Sequence, residues 1–249
     1  AKNDVSGFEL NSDNQSSVSN CEMVVVLGGD GTILKAVEMI HGFDIPILGI
    51  NLGRVGFLAE AEITDIPSAV EAIVNRDWQT ETRTVLDIRV IRSEQVVFES
   101  FAINDAAIEK VAPELMTELR VSVDNTVLMS FSGDGLIVAT STGSTAYAFS
   151  AGGPILWPNT KAIITVPVAA HALFARPLVV NPDSLLAVEV LQRSAGHGVL
   201  WCDGRRSTEL APGSRVEVKQ SKQSVKFARL TAGPFTDRLV RKFSLPVDG

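Results

Sequence analysis

The chain has 249 residues, 45% of them hydrophobic and 20% charged, with a net charge of −7. That length and apolar content can bury a core in one large or two modest domains, and the acidic balance argues against broad binding to nucleic acid or to an anionic membrane, both of which need basic surface. The two cysteines, Cys21 and Cys202, make neither a disulfide framework nor a cysteine zinc site; no apolar run nears the ~18 residues of a membrane span and no stretch reads as a signal peptide, so the reducing cytoplasm is the expected compartment.

The first twenty residues, AKNDVSGFELNSDNQSSVSN, are polar and rich in Ser, Asn and Asp, and open on Ala rather than Met. They read as linker-like, and a preceding piece of the native protein is expected. Met23–Leu27 is a continuous apolar run, the pattern of a strand buried on both faces. Ile33, Leu34, Val37 and Ile40 then recur at helical spacing. Ile45–Ile50 is a second short strand. Thr64 or Asp65 is placed to cap a second helix, with Pro67 in its first turn and Val70, Ile73 and Val74 on its inner face. Strand, helix, strand and helix on short links predict a parallel α/β sheet.

After Thr82 the period changes to two, with Leu86, Ile88 and Val90, then Leu119, Val121 and Val123, alternating with polar residues. Val123–Val127 (VDNTV) reads as a hairpin turn. Ile163–Val166, Leu186–Val190, Val199–Cys202, Val216–Val218 and Val225–Phe227 are further strand candidates. Pro154, Pro158, Pro167, Pro177 and Pro182 exclude a long helix here. The closing PFTDRLVRKF is amphipathic again. The expected organisation is an α/β domain over residues 1–80, a mostly-β domain over 81–231, and a segment at 232–249 that returns to the first.

Three clusters carry chemistry. In Gly28-Gly29-Asp30-Gly31-Thr32 an apolar strand ends and a helix begins, the place where free N–H groups and the helix dipole meet ligands in α/β sheets. The plain reading is a tight strand-to-helix turn. The functional one is a pocket where backbone approaches phosphate, Lys35 one turn on supplies positive charge, and Asp30 accepts a proton from a hydroxyl attacking a phosphoryl group. Neither the G-x-x-x-x-G-K-[ST] loop nor G-x-G-x-x-G is present. The second cluster, Asp134–Pro158, is dense in Ser, Thr and Gly around Tyr147, the single tyrosine of the chain. Small hydroxyls and exposed backbone suit hydrogen bonds to a base edge or phosphate, and the aromatic suits a sugar or ring; a Ser/Thr-rich loop with a half-buried tyrosine is the alternative. The third is Asn104-Asp105 at a strand end, by itself a turn signature. His171 stands among small residues, as a pocket wall or an ordinary packed histidine. The three histidines are too scattered for a zinc site.

Taken together these segments resemble the NAD kinases. The glycine-aspartate loop, NLGRVGFL (Asn51–Leu58), NDAAIEK, DGLIVATSTGSTAYAFSAGGPI, HALFARPLVV and FTDRLVRKF are each similar to family motifs, in the texture of high-GC Gram-positive bacteria. The resemblance implies transfer of the terminal phosphate of ATP to the 2′-hydroxyl of the adenosine ribose of NAD, giving NADP. It implies Asp30 as general base, and Gly31 and Lys35 against phosphates. Asn104 would meet the adenine edge and Asp105, where many relatives carry Glu, the ribose or pyrophosphate region. Thr142, Thr145 and Ala146 would hold the adenine, Tyr147 would pack on the ribose, and Ala148, Phe149 and Ser150 would continue the binding motif. Phe57 and His171 would line the pocket, and Asp134 would complete a neighbouring subunit's site in a homodimer or homotetramer. A divalent cation, Mg2+ or Mn2+, would arrive with ATP, and polyphosphate is a conceivable donor. The implied fold is a Rossmann-like α/β nucleotide-binding domain followed by a β-sandwich-like domain. Two other readings are a diacylglycerol-type lipid kinase and a non-catalytic dinucleotide sensor.

Overall fold

A computed structural model describes residues 7, 9–10, 18–53, 56–230 and 233–246. It divides into two compact units, Ala1–Arg83 with Val225–Gly249, and Thr84–Ser224. Most of the linker-like stretch 1–20 lies outside the described residues. Within it, Val18–Asn20 form a 3-10 turn with Val18 buried.

The first unit opens with β1 (Val24–Leu27), α1 (Asp30–Ile40) and β2 (Ile47–Asn51). β1 and β2 run parallel, with Val24 opposite Ile47 and Leu27 opposite Ile50, as the strand-helix-strand pattern requires. The expectation that this first strand is buried on both faces is corrected: Val26 is buried, but Val25 and Leu27 remain 44% and 56% exposed. β1 ends its sheet, and α1 packs against β1 and β2 while the opposite face of β1 stays open among the described residues. α1 turns Ile33, Ala36, Val37 and Ile40 inward, the i, i+3, i+4, i+7 stripe of an amphipathic helix.

A short β3 (Ala61–Glu62) adds to β2 in parallel, and a 3-10 turn at Ile63–Asp65 leads into α2 (Ile66–Asn75), which has Pro in its first turn. The buried face of α2 is carried by Ile66, Ala69 and Ile73, which pack with Leu48, Ile50, Ala61 and Trp78. Val70, expected on that face, is 52% exposed. Of the two expected caps it is Asp65 that precedes the helix, and the row 66, 69, 73 lies on one face of it.

The chain passes into the second unit along β4 (Gln79–Arg92), which pairs antiparallel with β5 (Gln95–Ala102). There follow β6 (Asp105–Lys110), β7 (Thr117–Val123), β8 (Thr126–Gly133) and β9 (Gly135–Thr140). Asp124 and Asn125 both take positive φ in the β7–β8 turn, the type I′ geometry that matches strand twist. After β9 come a 3-10 turn at Gly143–Thr145 and the one-turn α3 (Tyr147–Ser150). Next are β10 (Ile163–Val168), β11 (Leu178–Val180), β12 (Leu186–Val190), β13 (Gly198–Cys202), β14 (Arg206–Leu210) and β15 (Arg215–Arg229).

One sheet of this unit runs β11-β10-β9-β6-β13-β14, all antiparallel; in the other β15, β12, β7 and β8 are successive neighbours. Residues alternating along both sheets, among them Ile108, Leu136 and Leu200 from one and Leu119, Val188 and Val216 from the other, fill a common core, as in a β-sandwich. β9 is buried on both faces: Leu136 and Val138 face that core, while Ile137 and Ala139 pack with Ala148 of α3. The two expected strands Val216–Val218 and Val225–Phe227 are halves of the single β15.

The end of β15 belongs to the first unit, where Phe227 pairs in parallel with Ile47 of β2, and α4 (Phe235–Phe243) follows. An ion-pair relay ties these parts of the first unit together. Arg83 reaches Glu81 (3.1 Å), Glu81 also binds Arg229, Arg229 Nη1 meets Glu60 Oε2 at 2.8 Å, and Arg238 of α4 closes on the same oxygen at 3.4 Å. Arg83 is fully buried, and its pKa is pushed down to about 10 by burial and then by the Arg229 charge. No described helix is long and apolar enough to cross a membrane.

Candidate active site

In the first unit the glycine-aspartate loop sits where the helical pattern predicts. Gly29 caps α1 and Asp30 is its first residue, so the carboxylate lies at the positive end of the helix dipole. Both oxygens are committed: Oδ2 accepts the backbone N–H of Phe57 at 3.0 Å and Oδ1 that of Leu58 at 3.1 Å. A carboxylate offers about four acceptor positions, so two are left by the described residues for a hydroxyl. Gly56 makes this approach possible, because a Cβ there would stand 2.2 Å from Asp30 Oδ1. Gly31 and Lys35 are exposed on the outer side of the first turns of α1. The Phe57 ring is buried and packs on two α4 rings, with centroids 6.1 Å from Phe235 and 5.6 Å from Phe243.

In the second unit a cavity of about 410 Å3 opens beside the start of β6 and the end of β13, lined by Asn104, Asp105, Glu109, Ala146, Tyr147 and Asp203, with Ala107, Trp201 and Gly204. Its floor is built by Asp203, whose carboxylate accepts the backbone N–H groups of Ile103 (3.0 Å), Asn104 (2.7 Å) and Asp105 (3.2 Å). Arg206 balances it at 3.0 Å and itself stacks over the Phe101 ring. This bend is pinned a second time: Thr140 N–H donates to the Asn104 carbonyl at 2.9 Å, and Gly143 lies so near that a Cβ would stand 2.0 Å from that oxygen. The Thr-Gly-Ser-Thr segment and the Asn-Asp pair are thus held against each other by backbone.

The cavity is acidic. Burial, then Asp203, then Glu109 push the Asp105 carboxyl up to about 7. Burial also pushes Asp203 up, against its three N–H donors and Arg206. The Tyr147 hydroxyl donates to Glu109 at 2.6 Å, which raises its own pKa to about 12.

Of the residues singled out in the sequence, Asn104, Asp105, Ala146 and Tyr147 meet at this cavity. Thr142 is buried with no hydrogen-bond partner for Oγ1, and Thr145 donates back to the Thr142 carbonyl at 3.2 Å. Ala148 is packed in the core, whereas Phe149 and Ser150 are exposed. Asp134 pairs with Lys110 at 2.7 Å. His171 is exposed and bridges to Ser132, outside the cavity lining. Sequence reasoning missed Glu109, Trp201 and Asp203. The Asp-Gly pair at 203–204, a turn signal after the apolar run Val199–Cys202, marked the place but not the task. Among the described residues no three His, Cys, Asp or Glu gather to hold a metal ion.

Two solved structures share this architecture. Yeast NADH kinase, solved in complex with NADH, matches with a TM-score of 0.86 and 25% identity over 94% of this chain and 70% of that one. An NAD kinase from Archaeoglobus fulgidus, solved in complex with ATP, matches with a TM-score of 0.78 and 27% identity over 96% and 88%. The fold is therefore that of kinases of nicotinamide dinucleotides. Among curated proteins, the NAD kinase of Leifsonia xyli is 54% identical over 92% of this chain and 75% of its own length, and NAD kinase 2 of Streptomyces coelicolor 51% identical over 93% and 77%. Family profiles for the ATP-NAD kinase N-terminal and C-terminal domains match residues 2–78 and 103–230. The chain belongs to the NAD kinase family.

Proposed function

We propose that the chain transfers the terminal phosphate of ATP to the 2′-hydroxyl of the adenosine ribose of NAD, releasing NADP. The observation that carries this reading is the chemistry of the cavity in the second unit. Asp105 and Glu109 present acceptors, above the Asp203 floor, in a space that also holds the Asn104 amide and the Tyr147 ring. Ribose hydroxyls and the adenine amino group are donors that such a lining satisfies, whereas a phosphate would be repelled. A wide apolar groove for a lipid acceptor is not what these side chains build, and a pure sensor has no use for a carboxylate at a phosphate-binding loop.

In this reading Asn104 meets the adenine edge, Asp105 the ribose, and Tyr147 packs on the sugar. Thr142, Thr145 and Ala146 shape the adenine slot, with Ala148, Phe149 and Ser150 holding the short helix behind it. Gly31 and Lys35 serve the phosphates, whereas the Phe57 ring stands behind Asp30 on α4 and His171 lies outside the cavity lining. Asp30 takes the hydroxyl proton; a positioned carboxylate contributes about 10²–10⁴-fold in such a role. A divalent cation, Mg2+ or Mn2+, enters with ATP and neutralises phosphate charge. A homodimer or homotetramer in the cytoplasm, with Asp134 reaching a second subunit's site, completes the reading.

The test is a coupled assay of NADP formation from NAD, ATP and magnesium, with Asp30→Asn alongside and polyphosphate as a second donor. Turnover in the wild type, and its loss by about a hundredfold or more in the variant with NAD still bound, are expected. A folded wild type that binds NAD and forms no NADP with either donor would return the sensor reading.

A further inference from the structure

We infer that the C-terminal helix α4 positions the catalytic carboxylate of Asp30 through Phe57, which makes Phe243 and Phe235 positioning residues for phosphoryl transfer. The inference rests on the reading of Asp30 as the base.

Two contacts in series carry it, all within the first unit. Asp30 belongs to α1, and its main chain is fixed by that helix; among the described residues its side chain is held where Phe57 and Leu58 donate to it, at 3.0 Å and 3.1 Å. These two donors lie in a loop, and a loop donor is only as well placed as whatever holds the loop. Here that is the buried Phe57 ring, seated between Phe235 and Phe243 at 6.1 Å and 5.6 Å in tilted contacts, with Lys242 Nζ 5.9 Å from the ring centroid. Phe235 and Phe243 are the first and last residues of α4, so the helix grips the ring from both ends.

The helix is itself anchored by charge, since Arg238 closes the relay to Glu60 and Arg229. On the loop side the fit has no slack, because Gly56 lies where any side chain would collide with the carboxylate. Proton abstraction needs a heavy-atom approach of about 2.6–3.2 Å, and a misplacement near 1 Å can cost about a hundredfold. Losing an α4 ring loosens Phe57, then the two N–H donors, then the carboxylate. Binding of NAD, which does not depend on where that carboxylate points, is spared.

The experiment compares Phe243→Ala, Phe243→Leu and Phe235→Leu with wild type and with Asp30→Asn, by kcat, by KM for NAD and by thermal melting. The expected result is a fall in kcat of roughly ten- to a hundredfold for Phe243→Ala with KM changed less than about twofold, and recovery of most of the rate in Phe243→Leu. Gly56→Ala, which disturbs the same carboxylate without touching α4, should give the same split. Should Phe243→Ala fail to fold, Phe235→Leu and Gly56→Ala carry the comparison. A kcat within about twofold of wild type in the folded α4 variants overturns the inference, as does a loss confined to KM. Wild-type turnover in Asp30→Asn would instead sink the base reading on which it rests.

Discussion

The Tyr147 hydroxyl donates a 2.6 Å hydrogen bond to Glu109 Oε1 at the rim of the cavity in the second unit. That bond, with burial and the Glu109 charge behind it, lifts the phenol to about 12. Tyr147 is the single tyrosine in the chain, so phenolate absorbance reports on it alone. Wild-type protein should remain un-ionised at about pH 11, where Glu109→Gln has already begun to titrate. Equal midpoints in the two proteins would show that Glu109 does not hold the hydroxyl.

Asp105 makes the stability of the unliganded protein depend on pH. Its carboxyl is raised to about 7 in the fold, with Asp203 and Glu109 facing it, Tyr147 bonded to Glu109 and Arg206 paired to Asp203. In the unfolded chain it titrates near its ordinary value of about 4. A raised pKa contributes stability that is full below the unfolded value and is lost as pH climbs through the folded one. Asp105→Asn should therefore melt progressively higher than wild type between about pH 5 and pH 8. A gap that stays constant across that window would refute the assignment.

Gly143→Ala places a methyl 2.0 Å from the Asn104 carbonyl oxygen, in contact with backbone that cannot swing aside. Overpacking costs of about 1–3 kcal/mol or more are expected, read as a lower denaturation midpoint. NAD affinity should fall with it, because Asn104 must shift. Wild-type stability and affinity would mean that the segment gives more easily than this geometry allows.

Glu60 is the acceptor at the centre of the relay in the first unit, taking Arg229 Nη1 at 2.8 Å, Leu230 N–H at 3.1 Å and Arg238 Nη2 at 3.4 Å, with its side chain 3% exposed. Glu60→Gln leaves buried guanidinium charge uncompensated beside Arg83, whose Nε already lacks a partner. Urea titration should register a loss of about 3–5 kcal/mol. A loss below about 1 kcal/mol would place the pair among solvent-screened ones.

What could be read from the sequence followed local physics. The change of period from 3.6 to 2 separated helix-bearing from strand-bearing regions, and Asp124-Asn125 announced its turn. Where burial depended on partners the reading failed. Val25 and Leu27 look like core because nothing in a single strand says which strand lies beside it, and Val70 lost its place because α2, capped at Asp65 as the sequence allowed, packs on the row 66, 69 and 73. The break between Val218 and Val225 looked like a turn because residues 219–224 are polar, yet polar residues on an exposed stretch do not stop a ladder. At the site, Asn104, Asp105 and Tyr147 stood out as residue types, whereas Asp203 did not. Its task is to bind three N–H groups nearly a hundred positions earlier in the chain, and no spacing encodes that.

The route of β15 bears on how the protein is made. The sheet of the first unit takes its inner strand from residues 225–229, and the whole second unit is interposed between that strand and Arg83. A ribosome therefore releases β1, α1, β2 and α2 long before the strand that completes their sheet exists. The sandwich, contiguous along the chain, has all of its own segments first. The strands and helices of residues 24–75 must wait for residues 225–243, and the loop that carries Phe57 meets α4 only after the whole second unit has been made.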